Sequence, residues 1–141
     1  MSDAGIPADA QATIEDALSQ ARDARERAYA PYSKFQVGAA IVAGGHVFTG
    51  ENIENASYPV SVCAERNAVA RMIDAGERRI DLVAVVTGAA EPTPPCGACR
   101  QVLWEFGREA LVVAETTGGV RARWALEDLL PHAFGPEDLD R

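Results

Sequence analysis

The chain has 141 residues, of which 48% are hydrophobic and 24% charged, a composition typical of one soluble globular domain. Its formal net charge of -8 disfavours polymeric nucleic acid as a partner, because a phosphate backbone would be repelled. The sequence shows no membrane-length apolar run and no secretory signal, and its three cysteines are an odd number. We therefore expect a cytoplasmic protein with reduced thiols and no membrane partner. We expect residues 1–141 to form a single domain, with 1–12 as a frayed terminus.

The first elements along the chain are a helix and a hairpin. Apolar residues recur at helical spacing after Thr13, a suitable N-cap, and predict a helix over 13–29. The segment 35–43 is apolar on both faces and predicts a buried strand. The glycine pair at 44–45 predicts a tight turn into a second strand at 46–50.

After the polar loop 51–61, the pattern alternates between helices and strands. One helix is predicted to end near Gly76, and a second, which carries Cys99 on its apolar face, to end at Gly107. The predicted strands are 82–86, 111–114 and 120–125, and a short helical segment follows at 126–134. The order α-β-β-α-β-α-β-β-α indicates a mixed sheet with helices packed on it, which is an α/β sandwich.

The three cysteines form the most informative pattern. Cys63 and Cys96 each stand where an apolar helix is predicted to begin, and Cys99 lies one turn into the second helix. A helix N-terminus presents free N–H groups and partial positive charge, which favour the thiolate form of a cysteine. Two such helix starts that meet would gather three thiolates, a ligand set that suits zinc.

Three protein ligands also indicate the kind of zinc site. Structural zinc sites are closed by four side chains, whereas catalytic sites leave a position for water. Glu65, two residues after Cys63, is a carboxylate that could exchange protons with such a water. Arg66 and Arg100 are close enough in sequence to offset the excess negative charge of three thiolates.

Other interpretations remain open at this point. A lone C-x-x-C pair fits a redox protein with a reversible disulfide, and buried cysteines often act only as small apolar residues. A non-enzymatic zinc-stabilised module would need a fourth protein ligand, and neither His46 nor His132 is spaced to supply one. The combination C-x-E followed by P-C-x-x-C is more specific, because it is the signature of zinc nucleobase deaminases.

On these motifs the sequence resembles cytidine deaminase, in its small, three-cysteine, homotetrameric type, within the zinc-dependent cytidine/deoxycytidylate deaminase family. The resemblance covers nearly the whole chain in five blocks: "YAPYSKFQVGAA" (29–40), "GENIENASYP" (50–59), "CAERNA" (63–68), "PCGACRQVLWEF" (95–106) and "LLPHAFGPEDL" (129–139). It implies a three-layer α/β/α sandwich with a five-stranded mixed sheet.

The resemblance also implies the reaction. Cytidine and deoxycytidine would be hydrolysed to uridine and deoxyuridine plus ammonia, in pyrimidine salvage. One zinc ion per subunit, bound by Cys63, Cys96 and Cys99, would carry the hydroxide that attacks C4, while Glu65 shuttles protons. A modified cytosine nucleoside of the blasticidin type is the alternative substrate. Editing of a polynucleotide is disfavoured by the acidic charge and the lack of a basic, aromatic stripe.

Substrate-binding residues are implied in the same way. Asn52 and Glu54 match positions that hydrogen-bond the ribose hydroxyls, and Phe35 matches an aromatic residue that packs on the nucleoside. The backbone N–H of Ala64 is expected to bind the pyrimidine. Phe134 matches a ring that a neighbouring subunit places over the base, so that the homotetramer completes each site.

Four further positions follow from the resemblance. Arg66 and Gln101 match positions that support the thiolates, and Tyr58 is expected near a subunit boundary. Glu51 departs from the family pattern, because members often have cysteine or a small apolar residue there.

Overall fold

A computed structural model describes residues 8–139, and it consists of one five-stranded sheet with helices on both faces. The helices are α1 (Ala8–Arg25), α2 (Ala64–Asp74), α3 (Gly97–Gly107) and α4 (Leu126–Leu129), with short 3-10 helices at Tyr58–Val60 and Pro136–Leu139. The strands are β1 (Val37–Ala43), β2 (His46–Glu51), β3 (Leu82–Thr87), β4 (Leu111–Thr116) and β5 (Arg121–Ala125).

The strands are ordered β2-β1-β3-β4-β5 across the sheet. Only β3 and β4 pair in parallel, while the other three pairs are antiparallel, so the sheet is mixed. A hydrophobic core lies on each face of the sheet. Successive side chains of a strand point alternately into one core and the other, because side chains in a strand have a period of two. Ile41 and Val83 pack under α2 and α3, whereas Val42 and Ala84 pack under α1. These observations confirm the three-layer α/β/α sandwich with a five-stranded mixed sheet.

The boundaries of α1 differ from the prediction. The helix includes residues 8–12, which were assigned to a frayed terminus, and Thr13 lies inside it rather than at its N-cap. The alanine-rich segment before Thr13 is a good helix former, and this local propensity extends the helix. At the other end α1 stops at Arg25. Soon afterwards the backbone of Tyr29 forms hydrogen bonds with Asn52 and Glu54, as an isolated β-bridge, and so cannot continue the helix. Residues 1–7 lie outside the described residues.

The remaining elements match the prediction to within a few residues. The glycine pair forms the hairpin turn, with φ of 59° at Gly44 and 78° at Gly45. Val62 lies before α2 and forms an isolated bridge with Ile53. No helix within residues 8–139 is long and apolar enough to cross a membrane.

The packing of α1 on the sheet requires a glycine at position 38. A Cβ atom there would lie 1.9 Å from the carbonyl oxygen of Ala21 and 2.6 Å from the backbone nitrogen of Arg25. Both contacts are with helix backbone, which cannot move without displacing α1. Gly38 therefore sets how closely α1 approaches β1.

We expect Gly38→Ala to lower the free energy of unfolding by roughly 2–3 kcal/mol, because α1 must shift to admit the methyl group. The matched control is Gly97→Ala, where a Cβ atom would meet nothing within 4 Å. That variant should stay within about 0.5 kcal/mol of the wild type. Chemical denaturation of the three proteins measures both values, and equal stability of the two variants would contradict the proposed contact.

Candidate functional site

Two helix N-termini hold the cysteines, as the sequence predicted. Cys63 is the N-cap of α2 and Cys96 is the N-cap of α3, and both have extended backbone conformations. The Cys96 sulfur accepts a hydrogen bond from the backbone N–H of Cys99 at 3.5 Å. Because α2 and α3 begin side by side above the end of β3, their first turns bring three side chains to one point.

The three sulfur atoms fit a zinc ion. All of them lie within 4.8 Å of one another, and the sulfur atoms of Cys63 and Cys96 are 3.8 Å apart. Two sulfur ligands of a tetrahedral zinc ion, each about 2.3 Å from the metal, lie about 3.8 Å apart. The cluster is graded in exposure, since Cys96 is exposed, Cys63 is half-buried and Cys99 is buried. The cluster is therefore accessible from the side of Cys96.

Electrostatics show why this cluster needs a cation. The Cys99 thiol, Arg66 and Cys96 together lower the pKa of Cys63 to about 5, against the effect of burial. The same pairing with Cys63, followed by burial and the charge of Glu65, raises the pKa of Cys99 above its ordinary value. One thiolate therefore suppresses the ionisation of its neighbour. Three thiolates can coexist at these distances only with a divalent cation among them.

A cavity of about 330 Å³ opens beside the thiols. Its wall includes seven of the residues that the sequence singled out, namely Phe35, Asn52, Glu54, Cys63, Ala64, Glu65 and Cys96. The sequence did not identify five further lining residues, Ser33, Val37, Val85, Thr93 and Pro94. Thr93 and Pro94 belong to the proline-rich loop before Cys96. Their closeness in sequence to this predicted metal ligand could have identified them as lining residues.

Glu65 is the acidic group of this cavity nearest to the thiols in sequence. It is the second residue of α2 and only 5% exposed. Burial raises the pKa of Glu65 to about 7, and the negative charge of Cys63 adds to this effect. A carboxyl group that titrates near neutral pH can both accept and donate a proton, as general acid–base chemistry requires.

Asn52 and Glu54 hold the opposite wall through bonds to the backbone. The Asn52 side chain accepts from the N–H of Val37 and donates to the carbonyl of Phe35, each at 2.8 Å. Glu54 accepts from the Ser33 hydroxyl and from the backbone N–H groups of Tyr32 and Ser33. The bond from the Ser33 hydroxyl is the main reason that the pKa of Glu54 is lowered.

Arg66 lies beside the thiol of Cys63. Its guanidinium donates to the Cys63 sulfur at 3.7 Å and to the carbonyl of Ser61 at 3.5 Å. Its Nε atom is buried and has no hydrogen-bond partner among residues 8–139. Arg66 thus places a positive charge beside the Cys63 thiol, whose pKa is lowered.

Arg100 and Gln101 form different bonds from those expected. Arg100 donates to the carbonyls of Pro95 and Leu129, so it braces the loop before Cys96 instead of bonding a thiol. The Gln101 amide donates to the carbonyl of Phe134 at 2.9 Å. Of the consecutive residues Cys99, Arg100 and Gln101 in α3, only Cys99 is buried. The side chains of Arg100 and Gln101 bond other parts of the chain. Gln101 therefore fixes the C-terminal segment.

The remaining candidates lie at the surface. The ring of Phe134 is 58% exposed, and Tyr58 is 70% exposed with its ring against that of Tyr32 at 5.8 Å between centroids. His46 and His132 are both exposed, in line with the absence of an assigned role. Among the described residues, Cys63, Cys96 and Cys99 are the metal-binding cluster.

Three thiols at two helix N-termini, with a buried carboxyl in the adjoining cavity, define a zinc-site protein of the α/β/α class. The chain belongs to the cytidine and deoxycytidylate deaminase family, since the model of the cytidine and deoxycytidylate deaminase zinc-binding region matches residues 11–115. The zinc-binding name of this region agrees with the sulfur geometry.

Curated relatives and solved structures agree with this assignment. The chain is 43% identical over 128 residues to a cytidine deaminase of Sporosarcina psychrophila, covering 89% of this chain and 94% of the relative. It is 46% identical over 122 residues to that of Mycobacterium tuberculosis, covering 86% and 89%. The crystal structure of cytidine deaminase from Burkholderia pseudomallei superposes with a TM-score of 0.82 at 46% identity, over 85% of this chain and 98% of that one.

We expect Arg66→Gln to weaken zinc binding about tenfold, because the Cys63 thiolate loses its neighbouring positive charge. Removing Arg66 raises the pKa of Cys63, so protons compete better with zinc and the loss grows as the pH falls. Competition with a chelator at several pH values measures the affinity. Arg79→Gln is the control, since the Arg79 side chain is 85% exposed. Equal zinc affinity in the two variants would contradict this account.

Proposed function

We propose that this chain is a zinc-dependent cytidine deaminase that hydrolyses cytidine and deoxycytidine to uridine and deoxyuridine with release of ammonia. The observation that carries the proposal is one cavity shared by two kinds of residue. Cys63, Cys96 and Glu65 supply a metal site and a proton-transfer group, while Asn52 and Glu54 supply polar groups across from them.

The thiolates, Glu65 and Ala64 would each have a separate role in the reaction. Cys63, Cys96 and Cys99 would hold the zinc ion, which when bound would supply a Lewis acid that activates a water molecule as the nucleophile. Glu65 would take one proton from that water and give it to N3 of the cytosine ring. It would then take the second proton from the oxygen newly bonded to C4 and give it to the amino group, which leaves as ammonia when the C4–N bond breaks. The near-neutral pKa of Glu65 supports both directions of transfer. Ala64, the first residue of α2, offers a helix N-terminal N–H to the pyrimidine.

The opposite wall has spare hydrogen-bonding capacity for a ribose. A carboxylate has about four lone-pair sites, and Glu54 uses three of them on Ser33 and Tyr32. Asn52 uses one N–H and one lone pair on the backbone, which leaves one of each. Both side chains are therefore fixed in place and can still accept or donate one more bond. The ring of Phe35 lies beside them to pack on the sugar or base.

The assembly and location follow the family expectation. We propose a homotetramer in which Phe134 covers the base in a neighbouring subunit, and the exposure of Phe134 and Tyr58 supports this arrangement. Gln101 would hold Phe134 in position through its carbonyl. Unpaired thiols that bind a metal suit the reducing cytoplasm, where such an enzyme would act in pyrimidine salvage.

The first test of the function is Glu65→Gln, which keeps the shape of the side chain but cannot transfer protons. We expect zinc content to remain at one ion per chain, while kcat for cytidine falls by roughly 10²–10⁴-fold. Uridine formation and metal analysis on the same preparation measure both. Glu105→Gln is the control for loss of one acidic charge, since Glu105 lies on the exposed face of α3. Retained turnover in Glu65→Gln would contradict the proton-transfer role.

The assembly is tested by mixing two defective proteins. Phe134→Ala and Glu65→Gln should each turn over poorly, but a tetramer that contains both can combine an intact Glu65 with the Phe134 of a neighbour. Random mixing restores about a quarter of the sites. Dissociation and reassembly of an equal mixture, followed by the assay, measures this gain. Activity no higher than the mean of the two parent proteins would place Phe134 in its own subunit's site.

A further inference from the structure

We propose that Glu51, Asn67 and Arg71 position the substrate-binding loop relative to the zinc-binding helix. These residues, called the β2–α2 clasp below, are positioning residues, and none of the three lines the cavity. The inference rests on the proposed function, because it treats Asn52 and Glu54 as substrate-binding groups. It assigns a role to Glu51, a charged residue that is buried at the end of β2.

The clasp joins two elements whose backbones already touch. Gly50 lies where α2 crosses β2, and a Cβ atom there would be 2.3 Å from the carbonyl oxygen of Ala64 and 2.5 Å from the nitrogen of Ala68. The first turn of α2, which carries Glu65, is therefore in direct contact with the end of β2. A shift of either backbone moves the other.

Two side chains of α2 bind the outer edge of β2. The amide of Asn67 donates to the carbonyl of Glu51 at 2.8 Å, and Arg71 donates to the carbonyl of Thr49 at 2.5 Å. β2 is an outer strand of the sheet, and carbonyls two residues apart point to the same side. Four residues of helix rise about 6 Å and two residues of strand about 6.7 Å. The two spacings match, so α2 fits along this edge in one register.

The carboxylate of Glu51 adds an ion pair at the same place. Its two oxygens lie 3.1 Å and 3.4 Å from the guanidinium nitrogens of Arg71. Glu51 is only 8% exposed, and the ion pair with Arg71 offsets the cost of burying its carboxylate. Glu51 thus binds Arg71 with its side chain and Asn67 with its backbone.

The clasp reaches the substrate wall through the next residue. Asn52 follows Glu51 directly, and its side chain bonds the backbone at Phe35 and Val37. On the other side, Asn67 lies one turn after Cys63 in α2 and bonds its carbonyl at 3.2 Å. The clasp therefore links the segment that carries the thiol and Glu65 to the segment that carries Asn52. Its loss should loosen the recognition loop while leaving the thiols and Glu65 in place.

The test compares Glu51→Gln with Glu115→Gln. Glu115 is also a buried carboxylate, 6% exposed, and it binds Arg22 and Arg121 on the α1 side of the sheet. We expect both variants to lose a similar amount of thermal stability. Only Glu51→Gln should raise KM for cytidine, about fivefold, with kcat within about twofold and zinc unchanged. Arg71→Met should reproduce the rise in KM, and the double variant should be no worse than either single one.

Hydrogen exchange gives a measure that does not depend on turnover. The amides of Asn52, Ile53 and Glu54 bond the carbonyls of Val37, Val62 and Tyr29. They should exchange faster in Glu51→Gln and not in Glu115→Gln. Unchanged KM and unchanged exchange in Glu51→Gln, with stability lowered as in Glu115→Gln, would overturn the proposal. If the wild type forms no uridine, the proposed function fails, and the exchange rates alone decide the clasp.

Discussion

The charge of three thiolates in one small space is the constraint on which the site depends. Their sulfur atoms lie within 4.8 Å of one another, and one ionised thiol already suppresses the ionisation of the next. A divalent cation removes this conflict, and the positive ends of two helices and Arg66 reduce it further. The fold brings the three thiols together because α2 and α3 begin side by side, with Cys63 and Cys96 at their N-caps.

The sheet determines where the helix starts meet. β3 and β4 are parallel with α3 between them, and α2 precedes β3, so both helices return to the same end of the sheet. That end also receives the start of β1 and the end of β2, because β1 and β3 are antiparallel. Residues distant in sequence, such as Phe35, Glu54 and Pro94, therefore share one cavity. Close packing at Gly38 and Gly50 keeps the helices in this relation.

Much of this could be predicted from the sequence, because helix starts and cysteine spacing are local signals. The N-cap positions of Cys63 and Cys96 and the hairpin at 44–45 were predicted from a few residues each and are confirmed. The bonds from Arg100 to Leu129 and from Gln101 to Phe134 were not, because these partners lie on α4 and the C-terminal segment and depend on tertiary packing. The ion pair of Glu51 was equally hidden, since its partner Arg71 is on another element.

The central claim is that the metal cluster and the polar wall act together on a free cytosine nucleoside. The most direct measurement follows uridine and ammonia formation from cytidine by the purified chain, before zinc removal, after it, and after zinc is added back. The account predicts equal amounts of both products, loss of activity with the metal and recovery on its return. A folded protein that holds one zinc ion per chain and forms neither product would contradict it.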